Sequence, residues 1–219
     1  MNKIPPLLLC LFLFLGMGCS PNNTEMPTPE MPKNKASIED TSPETQLSEL
    51  VKKELKLDKQ KNNIILNFQF GMTKKEVVRH MQKLEKEKKI VKRKAKSDRN
   101  DFVYLLLVPQ IGEVDVYFDF YYHEGKLSKV ESYPSLPKDK TLEDLLTGCA
   151  EVLETKYGMP HVIFPRKDDK SCANYFWIES NRQIELHCNE KAVTFIYSDL
   201  KVYQKALMPE KTDAAELEI

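Results

Sequence analysis

The sequence predicts an α+β protein, in which one largely continuous antiparallel sheet carries its helices on one face. A capped helix followed by a run of strands occurs twice, in residues 42–136 and again in residues 137–200. In both units the strand segments are separated by short polar turns rather than by helices. Short turns join antiparallel neighbours, so we expect two tandem helix-plus-meander units that share one sheet.

The first unit is expected to begin with a helix that Ser42 caps and that reaches about Lys59. Residues 64–70 are predicted to form a strand. The "TKKE" stretch that starts at Thr73 has the pattern of a capping box and opens a second helix.

Three more strands are predicted in this unit. Residues 102–108 are apolar at every position, which is typical of a central strand buried on both faces. Residues 114–122 alternate instead, and the turn "HEGK" then leads into residues 127–133.

The second unit opens with a helix that Thr141 caps and that ends at Gly158 and Pro160. Three or four strands are expected to follow, including residues 175–178, 183–188 and 192–197. From about Tyr203 we expect a short helix and then a frayed tail, within a C-terminal segment 201–219.

The N-terminus has the pattern of an export signal. Residues 1–18 place Lys3 before a short apolar core, which suits a signal peptide and is too short to span a bilayer stably. Cys19 directly follows small residues and resembles the acylated cysteine of a bacterial lipobox, although Gly16 stands where leucine is typical. The alternative is an ordinary signal peptide cut near Gly18.

Residues 19–41 have the composition of a tether. They are rich in Pro, Asn, Thr and Lys and lack apolar periodicity, so they cannot bury enough surface to offset their ordering entropy. An extended chain of this length spans up to roughly 60 Å. We therefore expect a lipid-anchored protein of the cell envelope, held to the outer membrane and facing the periplasm.

Charge gives no reason to expect nucleic acid as a partner, because 33 basic and 33 acidic side chains balance. Residues 83–99 contain nine basic and three acidic residues. Such a run favours a solvated helix end and loop over a binding patch.

Cys172 and Cys188 are candidates for a disulfide. The hairpin between them can pair in two registers, and only one of these aligns the two cysteines. A three-residue turn at residues 179–181 places the two cysteines opposite each other, within bridging distance. A two- or four-residue turn misaligns them by one position but pairs Trp177 with Ile184 and Tyr175 with Leu186, which makes a better core face. Both registers stay open at this point.

No catalytic, cofactor-binding or metal-binding motif is evident, so we expect neither an enzyme nor a cofactor. Asp115 and Asp119 share a strand face at about 13 Å, farther apart than paired catalytic carboxylates. With Tyr117 and Tyr121 they form an aromatic and acidic strip of the kind that contacts protein partners. The alternative is that the N-terminal helix covers this strip.

The stretch "FGMTKKEVVRHM" resembles the small outer-membrane lipoproteins of the SmpA/OmlA type, within the wider group of β-lactamase-inhibitor-protein-like tandem folds. The hairpin "VDVYFDFYYHEGKLSKVESYP" and the helix end "KYGMP" are similar to the same group. The resemblance implies a non-catalytic envelope lipoprotein that binds other proteins in a scaffold or assembly role. The alternative function is a periplasmic inhibitor or ligand-binding module that uses the exposed sheet face.

Overall fold

The computed structural model describes residues 42–57, 59–92, 102–165 and 172–207 of the 219-residue chain. The signal peptide, Cys19, the tether up to residue 41, residues 93–99 of the basic run and the tail after residue 207 lie outside these ranges. Within the described residues, no helix is long and apolar enough to cross a membrane.

In the described part of the chain, eight strands form one sheet in which every neighbouring pair is antiparallel, so the predicted α+β class is confirmed. Along the sheet the order is β1-β2-β3-β4-β8-β7-β6-β5. The strands are β1 (Ile90–Lys92), β2 (Phe102–Val108), β3 (Gly112–His123), β4 (Lys126–Pro134), β5 (Val162–Pro165), β6 (Ala173–Glu179), β7 (Arg182–Asn189) and β8 (Ala192–Asp199).

Among the residues that the structure describes, four α-helices accompany the sheet: α1 (Pro43–Leu55), α2 (Lys74–Lys86), α3 (Leu142–Tyr157) and α4 (Leu200–Leu207). Helices α2 and α3 both begin with a complete capping box. The sequence predicted the box at Thr73, and at Thr141 it predicted the cap without the reciprocal bond from Asp144. At Thr141, the hydroxyl accepts a hydrogen bond from the Asp144 N–H and the Asp144 carboxylate accepts one from the Thr141 N–H. These paired bonds satisfy N–H groups that the first turn leaves without a helical partner.

The main core lies between one face of the sheet and the inner sides of α2 and α3. Helix α3 contributes the buried Leu145, Cys149 and Leu153, and the central strands contribute alternate residues such as Phe118 and Phe195. No side chain of α1 belongs to this core, since α1 packs against β5, β6 and α4.

The predicted strand over residues 64–70 is wrong. A single 3₁₀ turn, Ile65–Asn67, bends the chain back on itself, and Leu66 and Asn67 have positive φ values of 54° and 62°. The Ile64 N–H donates to the Phe68 carbonyl oxygen at 2.7 Å. The apolar residues of this segment, including the fully buried Phe68, enter the core as a compact loop rather than as a strand.

Strand β2 also differs from its prediction. It lies second from the sheet edge, and its face away from the core leaves Leu107 71% exposed. The basic run contributes the short edge strand β1, where a loop was expected. Helix α1 ends at Leu55 rather than near Lys59, and α4 begins at Leu200, three residues before the expected start.

Candidate functional site: the face of the β3–β4 hairpin

The four predicted strip residues share the sheet face that points away from the main core. Their neighbours Val114, Val116 and Phe118 are buried on the opposite face. Strand β4 adds side chains to the same face, since the register places Tyr133 opposite Tyr117, Glu131 opposite Asp119 and Lys129 opposite Tyr121. We call these seven residues the hairpin face: Asp115, Tyr117, Asp119, Tyr121, Lys129, Glu131 and Tyr133.

Glu131 is the centre of the hairpin face. Tyr121 Oη donates to Glu131 Oε2 at 2.9 Å, and Tyr133 Oη donates to the same oxygen. Lys129 Nζ donates to the other oxygen, Oε1, at 2.7 Å and lies 4.1 Å from the centroid of the Tyr121 ring. The ring of Tyr121 is therefore fixed by a hydrogen bond at its tip and by a cation against its face.

The charges of this network are stable at neutral pH. Burial alone would raise the pKa of Glu131, but the hydrogen bonds from Lys129, Tyr133 and Tyr121 outweigh it and lower the pKa below 4.5. Burial opposes the charge of Lys129 in the same way, yet Glu131 and Tyr203 of α4 raise the pKa of that lysine. Burial and the bond to Glu131 raise the pKa of both Tyr121 and Tyr133, so both stay protonated donors.

A second carboxylate lies two strands away in the same cross-strand row. Glu185 of β7 is opposite Ile196 of β8, which is in turn opposite Glu131. Burial raises the pKa of Glu185, and the charge of Glu131 adds to the increase, while His187 opposes it. His187 Nδ1 is 3.2 Å from Glu185 Oε1. The described part of the chain contains no group of three or more His, Cys, Asp or Glu side chains placed to hold a metal ion.

The four predicted strip residues differ in their exposure and in whether they belong to the hydrogen-bond network around Glu131. Tyr121 is 40% exposed and joins the network around Glu131, whereas Asp115, Tyr117 and Asp119 are half-buried on the same face. Helix α1 does not cover them, because it packs against β5 and β6, at the other end of the sheet. The next strand, β2, extends this face with the exposed Leu107.

Sequence reasoning missed Lys129, Glu131 and Tyr133, although a signal was present. The stretch "KVESY" in β4 begins two residues after the "HEGK" turn and places a base, an acid and a tyrosine at alternate positions. The turn has Glu124 at φ 48° and Gly125 at φ 75°, which is the two-residue geometry that joins antiparallel strands closely. Regular pairing around this turn would nevertheless place Glu131 opposite Phe118, on the core face. A β-bulge between Tyr121 and Tyr122 shifts the register by one residue and brings Glu131 opposite Asp119, beside the predicted strip.

The structure contains the Cys172–Cys188 disulfide together with the register that was expected to exclude it. The turn between β6 and β7 has two residues, so that Glu179 lies opposite Arg182 and Trp177 lies opposite Ile184. The two cysteines are nevertheless bonded, with their Cα atoms 5.6 Å apart. The expectation that this register separates the cysteines is therefore wrong. The reason is local: the Cys188 N–H donates to the side-chain oxygen of Asn174 at 2.9 Å, and the regular pairing stops before Cys172.

The third cysteine of the described chain, Cys149, is fully buried in α3. Burial raises the pKa of its thiol to about 12, so the reactive thiolate is scarce at neutral pH.

The arrangement on the hairpin face is suited to recognition, because it offers a fixed aromatic ring, hydroxyl groups and carboxylates on a partly open sheet.

No protein-family model matches the chain, and no curated protein matches it. A solved structure of a DUF4309 family protein (YjgB) from Bacillus subtilis is similar at 12% sequence identity. The alignment covers 73% of this chain and 98% of that chain, with a TM-score of 0.33. A likeness of this size carries no argument about function.

Proposed function

We propose that this protein is a non-catalytic, lipid-anchored protein of the cell envelope that binds another protein through the hairpin face. One observation carries the proposal: Tyr121 is exposed and is held in place by Glu131 and Lys129. A fixed tyrosine offers a large contact area at a low cost in conformational entropy, which is why tyrosine is frequent in binding surfaces.

The charges of the hairpin face favour a partner with basic or donor groups. Three carboxylates, those of Asp115, Asp119 and Glu131, lie on the face with one ammonium, that of Lys129. Complementary charge increases the rate of encounter and excludes partners of like charge. The exposed Leu107 beside the strip adds apolar area to the same surface.

The anchor at Cys19 is a separate part of the proposal. The Cys172–Cys188 disulfide supports export, since such bonds persist in oxidising compartments and are rare in the cytosol. An acylated Cys19 with the tether that follows would hold the folded unit at the outer membrane, facing the periplasm. Intact mass of the membrane-extracted protein tests this, with Cys19→Ala as the control. An unmodified mass in a soluble fraction would refute the anchor.

The binding surface is tested by photo-crosslinking in intact cells. A photoreactive amino acid replaces Tyr121, or in the control Met159, which is 71% exposed in the turn between α3 and β5. We expect a discrete crosslinked product from position 121 that is absent from position 159. The same pattern from both positions, or none from 121, contradicts the proposal. A single soluble enzyme at position 121 would favour the inhibitor function instead.

A further inference from the structure

Positive charge is concentrated in one part of this neutral molecule, in helix α2 and the edge strand β1 that follows it. Residues 74–92 contain eight basic and three acidic residues. Helix α3, which lies on the same side of the sheet, has the opposite balance, with four acidic residues and one basic residue. The cationic surface is therefore confined to the α2 end of this helix layer.

Helix α2 also sorts its residues around its own axis. Val77, Met81 and Leu84 are buried against the core. The repeat of 3.6 residues per turn places a row of exposed residues on the opposite side, which we call the basic row: Lys75, Arg79, Gln82, Lys83 and Lys86. The row contains four cations and no carboxylate, whereas a helix face that only keeps a protein soluble typically mixes the two signs.

Little of this positive charge is neutralised within the described part of the chain. Lys83 Nζ lies 3.8 Å from Glu87 Oε1, and the other oxygen of that carboxylate already binds Lys89 Nζ at 2.7 Å. Lys75 and Lys86 form no salt bridge with any described carboxylate. The positive field of the basic row therefore extends into the solvent, where it attracts anionic surfaces.

The chemistry of the basic row suits a membrane surface better than a folded protein. Protein interfaces are enriched in aromatic residues and depleted in lysine, and the row has three lysines and no aromatic ring. A lipid surface requires no fixed geometry, because its charged headgroups move laterally to meet flexible side chains. Each Lys or Arg close to such a surface adds to the attraction.

We propose that the basic row docks on the anionic surface of the membrane that carries the anchor. This docking rests on the anchor of the proposed function, because a tether of up to roughly 60 Å keeps the folded unit close to that surface. Helix α2 and the hairpin face lie on opposite sides of the sheet. Docking through α2 therefore directs the hairpin face away from the lipid and leaves it accessible to a partner.

Vesicle co-sedimentation tests this with the mature chain, residues 19–219, in which Cys19→Ala removes the site of acylation. This chain contains every described residue, and its binding does not depend on an acyl group. The vesicles consist of phosphatidylcholine alone, or of phosphatidylcholine in which phosphatidylglycerol replaces one third of the lipid. We expect binding to the anionic vesicles only, and release at high salt, which screens exposed charges.

The combined change Lys75→Gln, Arg79→Gln and Lys86→Gln removes three cations from the basic row. Each cation near the surface contributes about fivefold to binding, so the affinity of this variant for the anionic vesicles should fall roughly a hundredfold. The matched control removes three exposed cations from α1 and its C-terminal cap, at the other end of the sheet: Lys52→Gln, Lys53→Gln and Lys56→Gln. It should bind nearly as the wild type does. Glutamine has a helix propensity close to that of Lys and Arg, so both variants should fold, which circular dichroism checks.

Equal binding to neutral and anionic vesicles, equal losses in the two triple variants, or binding that salt does not weaken would each overturn the proposal. No binding to either kind of vesicle would overturn it as well and would favour an acidic protein as the occupant. Failure of the anchor appears in a different measurement, as an unmodified Cys19 in the soluble fraction, so the two failures are distinguishable.

Discussion

Two carboxylates on the same face of the sheet are expected to respond in opposite ways when their charge is removed. Glu131 accepts hydrogen bonds from Lys129, Tyr121 and Tyr133, which lower its pKa. Glu185 is buried with His187 as its partner, and burial raises its pKa. Glu131→Gln and Glu185→Gln are therefore matched substitutions, each the control of the other.

The magnitude for Glu131→Gln follows from its contacts. Glutamine keeps one oxygen for the two tyrosine hydroxyls, but its amide nitrogen must then face the ammonium of Lys129, where two donors meet. A hydrogen bond to a charged group contributes about 1.5–3 kcal/mol, and the side chain of Glu131 is only 16% exposed. We expect a loss of about 2–3 kcal/mol in the free energy of unfolding, or a decrease in Tm of roughly 5–10 °C.

The pH dependence separates the two residues further. The lowered pKa of Glu131 means that its stabilising contribution is complete above pH 4.5 and is lost as the pH falls through its folded-state pKa. The raised pKa of Glu185 has the opposite effect: the folded state holds the proton more tightly, so stability is lost as the pH rises from 4.5 through the folded-state pKa. At neutral pH Glu185→Gln should therefore cost far less than Glu131→Gln, or stabilise the protein.

Urea unfolding of wild type and both variants, followed by circular dichroism at pH 3, 5 and 7, measures these differences. The destabilisation in Glu131→Gln should shrink as the pH falls through the folded-state pKa of Glu131, because the wild-type carboxylate then gains its proton and loses its stabilising contribution. Equal losses in both variants at pH 7, or a loss in Glu131→Gln that stays the same down to the pH at which the wild type unfolds in acid, would refute the account of the network.

Three further predictions concern the framework. Replacing both Cys172 and Cys188 by serine should lower the free energy of unfolding by about 3 kcal/mol, because the bond closes a loop with a sequence separation of 16. A reductant should lower the Tm of the wild type and leave the Tm of the variant unchanged. Gly148→Ala should destabilise by about 1–2 kcal/mol in urea unfolding despite its better helix propensity, since the new Cβ would lie 2.4 Å from Val108 Cγ1. Val108→Ala should then lower the free energy of unfolding less in the Gly148→Ala variant than it does in the wild type. Thr141→Ala removes a capping box and should cost about 1 kcal/mol in the same assay.

The parts of the fold that the sequence predicts well are those with local signals. Thr73 and Thr141 lie directly before α2 and α3, and the signal for each helix start is contained in four consecutive residues. The alternation that begins at residue 114 correctly predicts which side chains of β3 face the core, as far as Phe118. Residues 64–70 show the limit of this reasoning. Their apolar pattern fits a strand, but the chain bends at Leu66 and buries the same side chains as a loop.

The candidate site needed information from distant parts of the chain. The alternation in the sequence of β3 is enough to place Tyr121 and Asp119 on one face, whereas the role of Glu131 depends on the register between β3 and β4. The disulfide could not be decided from the register alone, since the regular pairing of β6 with β7 ends at Tyr175 and the Cys188 N–H donates to the side chain of Asn174 instead.

The position of β8 has a consequence for how the protein is made. The last strand of the described residues lies in the middle of the sheet, between β4 and β7, and joins the two meanders. Until residues 192–199 emerge, a nascent chain has open edges at β4 and β7, in addition to the outer edges at β1 and β5, and no continuous sheet. Closure is therefore a late event in biogenesis, and a chain cut before Ala192 would present the β4 and β7 edges to chaperones, proteases and other copies of itself.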